Sequence, residues 1–320
     1  MNFKVYKPQV FQGDLSRKNY FEGWYFKQAS KSLDHVYSFI PGISLSRESP
    51  HSFIQVMNGI TGISNYIPYN VRQFSWNAEK FEVRVGNSFF SREKMMLDID
   101  TEGLRISGQL TFSNSVDYPR SILSPGIMGW YSFVPFMQCK HDVVSVTHDL
   151  SGTLEVNDEP FNFSLGKGYI EKDWGSSFPK AWLWLQCNTF GKSDASLMIS
   201  IADIPWLGSY FLGLICFLYI NGCFYTFNTY EKAIIEELSG VNEKITIKLK
   251  SRHHRLTVTV IKNKSGELKA PVKGEMSRRI KESIDSEVHF SLMDLNSGHL
   301  FEGNGKRAGL EVIEAIFHYL

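Results

Sequence analysis

From Asn19 onward the chain is built of short runs in which apolar and aromatic residues alternate, and the runs are closed by Gly, Pro, Asn or Asp. In NYFEGWYFKQAS, Phe21, Gly23, Tyr25 and Lys27 alternate with Glu22, Trp24, Phe26 and Gln28, so both faces carry aromatics. Such a strand can line an interior on one side and pack beneath another layer on the other. HVYSFIPGISL and HSFIQVMNG follow, cut by Pro41, Gly42, Asn58 and Gly59 in the rhythm of an antiparallel meander. This periodicity predicts an all-β chain. Only RAGLEVIEAIF near the C terminus, expected as a short helix, and a turn near MSRRIKESI have helical character. Ile204 to Thr229 carries no charge, yet Pro205, three glycines and two asparagines interrupt it. LICFLYI and CFYTFNTY flank Asn221 and Gly222 as the arms of a tight hairpin rather than a membrane span.

The 320 residues are roughly twice a typical domain. About fifteen strand candidates exceed what one small barrel needs and suit two barrels or sandwiches. The join is expected between Asp149 and Leu165, giving halves 1–155 and 156–320. Residues 113–141 break the alternation with three prolines and the apolar Ile122, Leu123, Ile127, Met128, Trp130, Tyr131, Phe133 and Phe136. A loop so long and apolar is either a lid over an apolar cavity or a crossover packed between halves.

Lys and Arg (34) nearly cancel Asp and Glu (33), so no overall field invites nucleic acid. Lys244 to Lys281 differs, with twelve basic residues against two glutamates. It reads as the solvated face of an edge hairpin or as a surface drawn to anionic lipid, which would give peripheral membrane contact. Four cysteines without CxxC or zinc spacing read as buried thiols in a reducing compartment, and MNFKVYKPQVFQGD holds no apolar run of signal-peptide length. A cytoplasmic location is expected. His253 and His254 point to opposite faces, and His141 and His148 lie seven apart without a carboxylate pattern, so no metal site is expected. Nucleotide-binding glycine loops and a G-x-S-x-G elbow are absent from the sequence.

The densest segment is GYIEKDWGSSFPKAWLWLQCN, Gly168 to Asn188. Glu171, Lys172 and Asp173 are bracketed by Tyr169 and Trp174, while Trp182, Trp184 and Gln186 share one strand face. Acids beside indoles can be desolvated enough to keep a proton available, or they form a charged turn ahead of an aromatic strand.

NYFEGWYFKQ, HSFIQVMNG and this segment resemble the tocopherol cyclase-like family and, more distantly, the carotenoid hydratase-like proteins with lipocalin-like double barrels. The spacing follows the family from near residue 20 to near residue 190, and GNGKRAGLEVI resembles its closing segment. The resemblance implies two lipocalin-like (calycin-like) antiparallel β-barrel halves with a long apolar pocket for an isoprenoid chain. It also implies a cofactor-independent reaction. An alkene is protonated and the tertiary cation is captured by a phenolic oxygen, closing a ring on a prenylated quinol, or by water in the hydratases.

Carried onto this chain, Asp173 is the expected proton donor, with Glu171 orienting it or pairing with Lys172. Glu22 would contact the polar head or serve as a structural partner of Lys27. A subset of Trp24, Tyr25, Trp174, Trp182 and Trp184 would flank the cation. Gln186 would lie beside the two tryptophans of its strand, and Tyr169 and His51 would hold a hydroxyl. The competing reading keeps the pocket for lipid binding or transport and makes the acidic turn structural.

Overall fold

The computed structural model describes residues 3–191, 193–206 and 209–319, which form two wholly antiparallel sheets. The first contains β1 (Tyr20–Ala29), β2 (Val36–Leu45), β3 (His51–Asn58), β4 (Ser64–Asn70), β5 (Phe74–Trp76), β6 (Glu82–Val85), β7 (Ser88–Ser91), β8 (Lys94–Thr101), β9 (Leu104–Val116), β10 (Cys139–Val156), β11 (Glu159–Asn162) and β12 (Lys167–Gly175). Its order is β4-β3-β2-β1-β12-β10-β9-β8-β7-β6-β5, with β11 beside β10. The second contains β13 (Trp182–Cys187), β14 (Ala195–Trp206), β15 (Ser209–Ile220), β16 (Cys223–Thr226), β17 (Ile234–Val241), β18 (Lys244–Lys250), β19 (His254–Ile261), β20 (Gly266–Val272), β21 (Glu275–Asp294) and β22 (Leu300–Val312). Its order is β16-β15-β14-β13-β22-β21-β19-β18-β17, with β20 beside β21. The chain is all-β, as its period-two pattern requires, and has the lipocalin-like fold that the family resemblance implies.

Position in the sheet follows composition. β1, aromatic on both faces, is buried along nearly its whole length in mid-sheet, whereas β8, KMMLDIDT, alternates buried and exposed residues. The first sheet rolls back on itself. The Trp24 ring of β1 lies 5.8 Å from Phe81, just ahead of β6, and the Phe26 ring lies 5.4 Å from Phe90 of β7. Strands from both ends of the sheet thus share one core with the middle. Each fully buried aromatic there contributes roughly 1.5–3 kcal/mol of apolar transfer, so the rolled form is favoured over a flat sheet. The second sheet has its own core, with Leu183, Leu185 and Cys187 of β13 on its inner face.

The uncharged stretch is the expected hairpin. Ile220 pairs with Cys223 across Asn221 (φ 47°) and Gly222 (φ 89°), the left-handed pair that a two-residue turn of this kind needs. No helix among the described residues is long and apolar enough to cross a membrane.

Four expectations shift. The C-terminal helix is a five-residue 3-10 turn, Glu314–His318, and most of RAGLEVIEAIF belongs to β22. MSRRIKESI lies within β21, where Met276 and Ile280 are buried between exposed neighbours. All four thiols are free, but only Cys187 and Cys216 are buried; Cys139 is half-buried at the start of β10, and Cys223 is exposed beside the hairpin turn. The chain divides into compact units at Phe178/Pro179 rather than near residue 155. One unit comprises Met1–Asn58, Ile63–Phe178 and Leu268–Arg279, and the other Gly59–Gly62, Pro179–Glu267 and Ile280–Leu320. The reason lies in pairing: β12 is hydrogen-bonded between β1 and β10, so the first sheet cannot close before Gly175. Within the insertion, residues 117–138 lie outside the strands apart from a 3-10 turn at Gly129–Phe133.

Candidate active site

Period two divides the acidic segment between the faces of β12. Ile170 and Trp174 belong to the core side, which places Lys172 there, while Tyr169, Glu171 and Asp173 point the other way. The core side is structural. The fully buried Lys172 ammonium uses its three donors on Glu22 Oε1 (2.5 Å), Pro8 O (2.7 Å) and Val10 O (2.6 Å). Trp24 and Trp174 sandwich it, with ring centroids at 4.9 and 4.7 Å. Burial pulls the Lys172 pKa down, and the Glu22 carboxylate opposes this. Glu22 also accepts from Gln12 N (2.8 and 3.0 Å), Gly13 N (3.1 Å) and the Tyr20 hydroxyl. Trp24 Nε1 donates to Gln9 O at 2.9 Å.

Residues 8–13 are therefore strapped to the first unit by Glu22, Trp24 and Lys172. Glu22 pairs with Lys172 and not with Lys27, which alternation puts on the opposite face of β1. Its acceptor positions are filled, which leaves none for a substrate head group. Trp24 and Trp174 already flank a resident cation.

The opposite face carries the candidate site. Antiparallel register sets His141 of β10 directly beside Asp173 of β12, and Asp173 beside Gly23 of β1. His141 Nδ1 is 3.0 Å from Asp173 Oδ1, and His141 Nε2 is 3.6 Å from Glu171 Oε2. Tyr169 donates its hydroxyl to Glu171 Oε2 at 2.7 Å, and Cys139 Sγ lies 3.8 Å from Asp173 Oδ1. Tyr25 is buried and is the register partner of Glu171.

Side-chain exposure is 5% for Glu171, 12% for His141 and 25% for Asp173, so Asp173 is the acid that a substrate can reach. Across from it, a Cβ built on Gly23 would make ordinary contact with Ile40 Cγ2 and Pro41 O at 3.7 Å. His141, Glu171 and Asp173 are residue types that also ligate metals, and one donor atom of each lies within 4.8 Å of the others. Their closest approaches, however, use the two different ring nitrogens, one per carboxylate. The imidazole is hydrogen-bonded to Asp173 through Nδ1, while its buried Nε2 stands 3.6 Å from Glu171 Oε2, an ion-pair distance without a hydrogen bond.

Burial alone would push the His141 pKa down. The charges of Asp173 and Glu171, with the hydrogen bond to Asp173, outweigh burial and lift it to about 9. The His141 imidazole is therefore charged at neutral pH. Burial and the Glu171 charge hold Tyr169 well above the usual phenol range, so it remains a donor. Because the folded value lies above the ordinary 6.5, the ion cluster stabilises the protein fully below about pH 6.5 and loses that contribution as pH rises through about 9. The stability gap between the protein and its His141→Gln variant, measured by urea unfolding, is expected to shrink between pH 7 and 10. A gap constant over that range would overturn the assignment of His141 to this ion cluster.

His141 escaped sequence reasoning because its carboxylate partner lies 32 positions away; only the β10–β12 pairing joins them. His148 sits elsewhere. Its ring packs 4.4 Å from Phe112, Nδ1 lies 2.9 Å from Ser145 Oγ, and burial drives its pKa down to about 3. His51 lies on β3, three strands from β12, held by Ser49 O (2.7 Å) and the Tyr66 hydroxyl (2.6 Å). Trp182, Trp184 and Gln186 are buried in the second unit on the face of β13 opposite its core, and Trp182 Nε1 donates to Glu311 at 2.8 Å.

Fold and site together define a lipocalin-like β protein with an Asp–His–Glu cluster at a central strand. The tocopherol cyclase-like family model matches residues 104–313, and the chain belongs to that family. The tocopherol cyclase of Zea mays, a chloroplastic protein, is 22% identical over 238 residues, which cover 59% of this chain and 50% of the maize protein. The chain thus spans about half the length of that relative. Among solved structures, CghA superposes with a TM-score of 0.58 at 10% identity, covering 92% of this chain and 88% of CghA. CghA with Sch210972 gives 0.57 at 12% identity over the same shares. At such identities the likeness establishes the fold alone.

Proposed function

We propose that this protein is an acid catalyst that protonates an alkene of an isoprenoid or prenylated quinol and directs ring closure. The observation that carries the reading is the Asp173–His141–Glu171 cluster, in which the partly open Asp173 stands 3.0 Å from the His141 ring. Family membership and the cyclase activity named for the maize relative support it.

The proton held by His141 passes across 3.0 Å to Asp173 Oδ1 and from there to the alkene. The π pair forms the new C–H bond and leaves a tertiary cation. As the substrate gains its positive charge, the cluster goes from one net negative charge to two, which stabilises that cation where it forms. A hydroxyl oxygen of the substrate then bonds to the cation, and its proton returns to the cluster. Reactant and product are isomers, and the balance requires no redox cofactor. Tyr169 fixes Glu171, whose carboxylate faces the far side of the imidazole at 3.6 Å.

The test is mass-resolved chromatography of prenylated quinols and linear carotenoids incubated with the pure protein. A product of unchanged mass supports ring closure. Addition of one water would transfer the reading to hydration, and unchanged ligand carried through purification would transfer it to lipid binding.

A further inference from the structure

Glycine inside a strand is destabilising, because it packs nothing and gives up the most backbone freedom on folding. It is kept where the chain bulges or takes a positive φ, where a neighbour occupies the side-chain position, or where a ligand lies against the backbone. β2, β1 and β12 stand side by side and hold four glycines, Gly42, Gly23, Gly168 and Gly175. Three of them are required by the protein itself. A Cβ on Gly42 would collide with the Phe53 ring and the Glu22 carbonyl, one on Gly168 with Gln28 and His148, and one on Gly175, at φ 152°, with the Gln138 carbonyl.

Gly23 has no such neighbour. Its φ lies outside the left-handed region, and it pairs in regular register with Asp173 on one side and Gly42 on the other. The atoms nearest to an added Cβ are Ile40 Cγ2 and Pro41 O, both at the ordinary contact distance of 3.7 Å. Alanine would therefore fit the folded chain, and a bound ligand is the remaining reason for a glycine.

The surroundings point the same way. Gly23 is the one residue of β1 that is not buried, and Ile40 is the one residue of β2 that is not buried. The two adjoin, and Asp173, across from Gly23 on β12, is a quarter exposed. The pleat sets Phe21 and Tyr25 on the same face of β1 as Gly23, two residues to either side. A seat bordered by Phe21, Tyr25 and Ile40 thus lies one strand spacing, about 5 Å, from the Asp173 backbone. A carbon resting on Gly23 is beside the carboxyl.

We infer that Gly23 is the specificity-determining residue of this site: the place of its missing side chain seats the reacting isoprene unit against Asp173. A branched alkene can lie on a backbone without Cβ, whereas a methyl group at residue 23 would lift it away from the acid. The choice of an isoprene unit as occupant rests on the reading of Asp173 as the acid that protonates an alkene.

Gly23→Ala is the informative variant, because the fold accepts it. Its kcat/KM for a prenylated quinol should fall by about 10–200-fold, the range by which one methylene group alters discrimination in an apolar pocket. Its thermal midpoint should equal or exceed that of the parent, since alanine restricts the unfolded chain more than glycine does. Equilibrium dialysis of the same quinol against Asp173→Asn and against the double variant Asp173→Asn, Gly23→Ala reads the seat without the reaction. The double variant should bind at least about tenfold more weakly. Equal binding by these two proteins would overturn the seat, as would a Gly23→Ala protein that turns over like the parent. A thermal midpoint that falls with the substitution would also overturn it, by making Gly23 a structural residue. Binding that depends on Gly23 in a parent that converts nothing would support the seat and count against acid catalysis, whereas conversion indifferent to Gly23→Ala would do the reverse. A parent that neither binds nor converts the quinol would overturn both.

Discussion

Asp173→Asn should lower turnover of the cyclised substrate by roughly 10²–10⁴-fold, the range that a positioned general acid supplies, while leaving ligand retention and folding close to those of the parent. Asparagine keeps the shape of the side chain but can neither carry the transferred proton nor contribute the second negative charge beside the developing cation. The fold should tolerate the change because Asp173 is a quarter exposed and faces Gly23 on β1. The same substitution removes the anion 3.0 Å from His141 Nδ1, so the His141 pKa should drop below its value of about 9. An NMR titration of the imidazole would register that drop. Glu171→Gln is the necessary companion. If that variant is inactive while Asp173→Asn turns over normally, the donor is Glu171 and the assignment to Asp173 fails.

Lys172→Met is expected to cost about 3–5 kcal/mol of stability, the penalty for removing one partner of a buried ion pair. Lys172 and Glu22 are both fully buried. The substitution leaves the Glu22 carboxylate without its counter-ion and the Pro8 and Val10 carbonyls without their donor. Glu22→Gln combined with Lys172→Met should recover part of the loss, because the remaining buried charge is gone. Urea unfolding of the two single variants and the double variant measures the coupling directly. A loss under about 1 kcal/mol for Lys172→Met would mean that the pair does not hold the N-terminal strap, and a substrate-contacting role for Glu22 would return to consideration.

Strand character was legible because period two survives any tertiary arrangement. NYFEGWYFKQAS could be buried on both faces only in mid-sheet, and Asn221-Gly222 could form only a tight turn between its apolar arms. The terminal segment misled because AGLEVIEAIF spaces its apolar residues compatibly with either element; pairing of β22 with β13 and β21 decided for strand. The division of the chain was misplaced because nothing local in GYIEKDWG shows that it inserts between β1 and β10.

The sequence by itself determined the strand character of most of the chain, the alternation that separates Glu171 and Asp173 from Lys172, and the segment in which the acids stand. Only the tertiary structure decided which face faces which chemistry. Register brought His141 to Asp173 across 32 positions, and packing enclosed Lys172 between Trp24 and Trp174 with Glu22 as its counter-ion. Side-chain direction along a strand is a local property set by the pleat, whereas the partner across a sheet is set by the order in which distant strands pair, and charge compensation in the interior follows from that order.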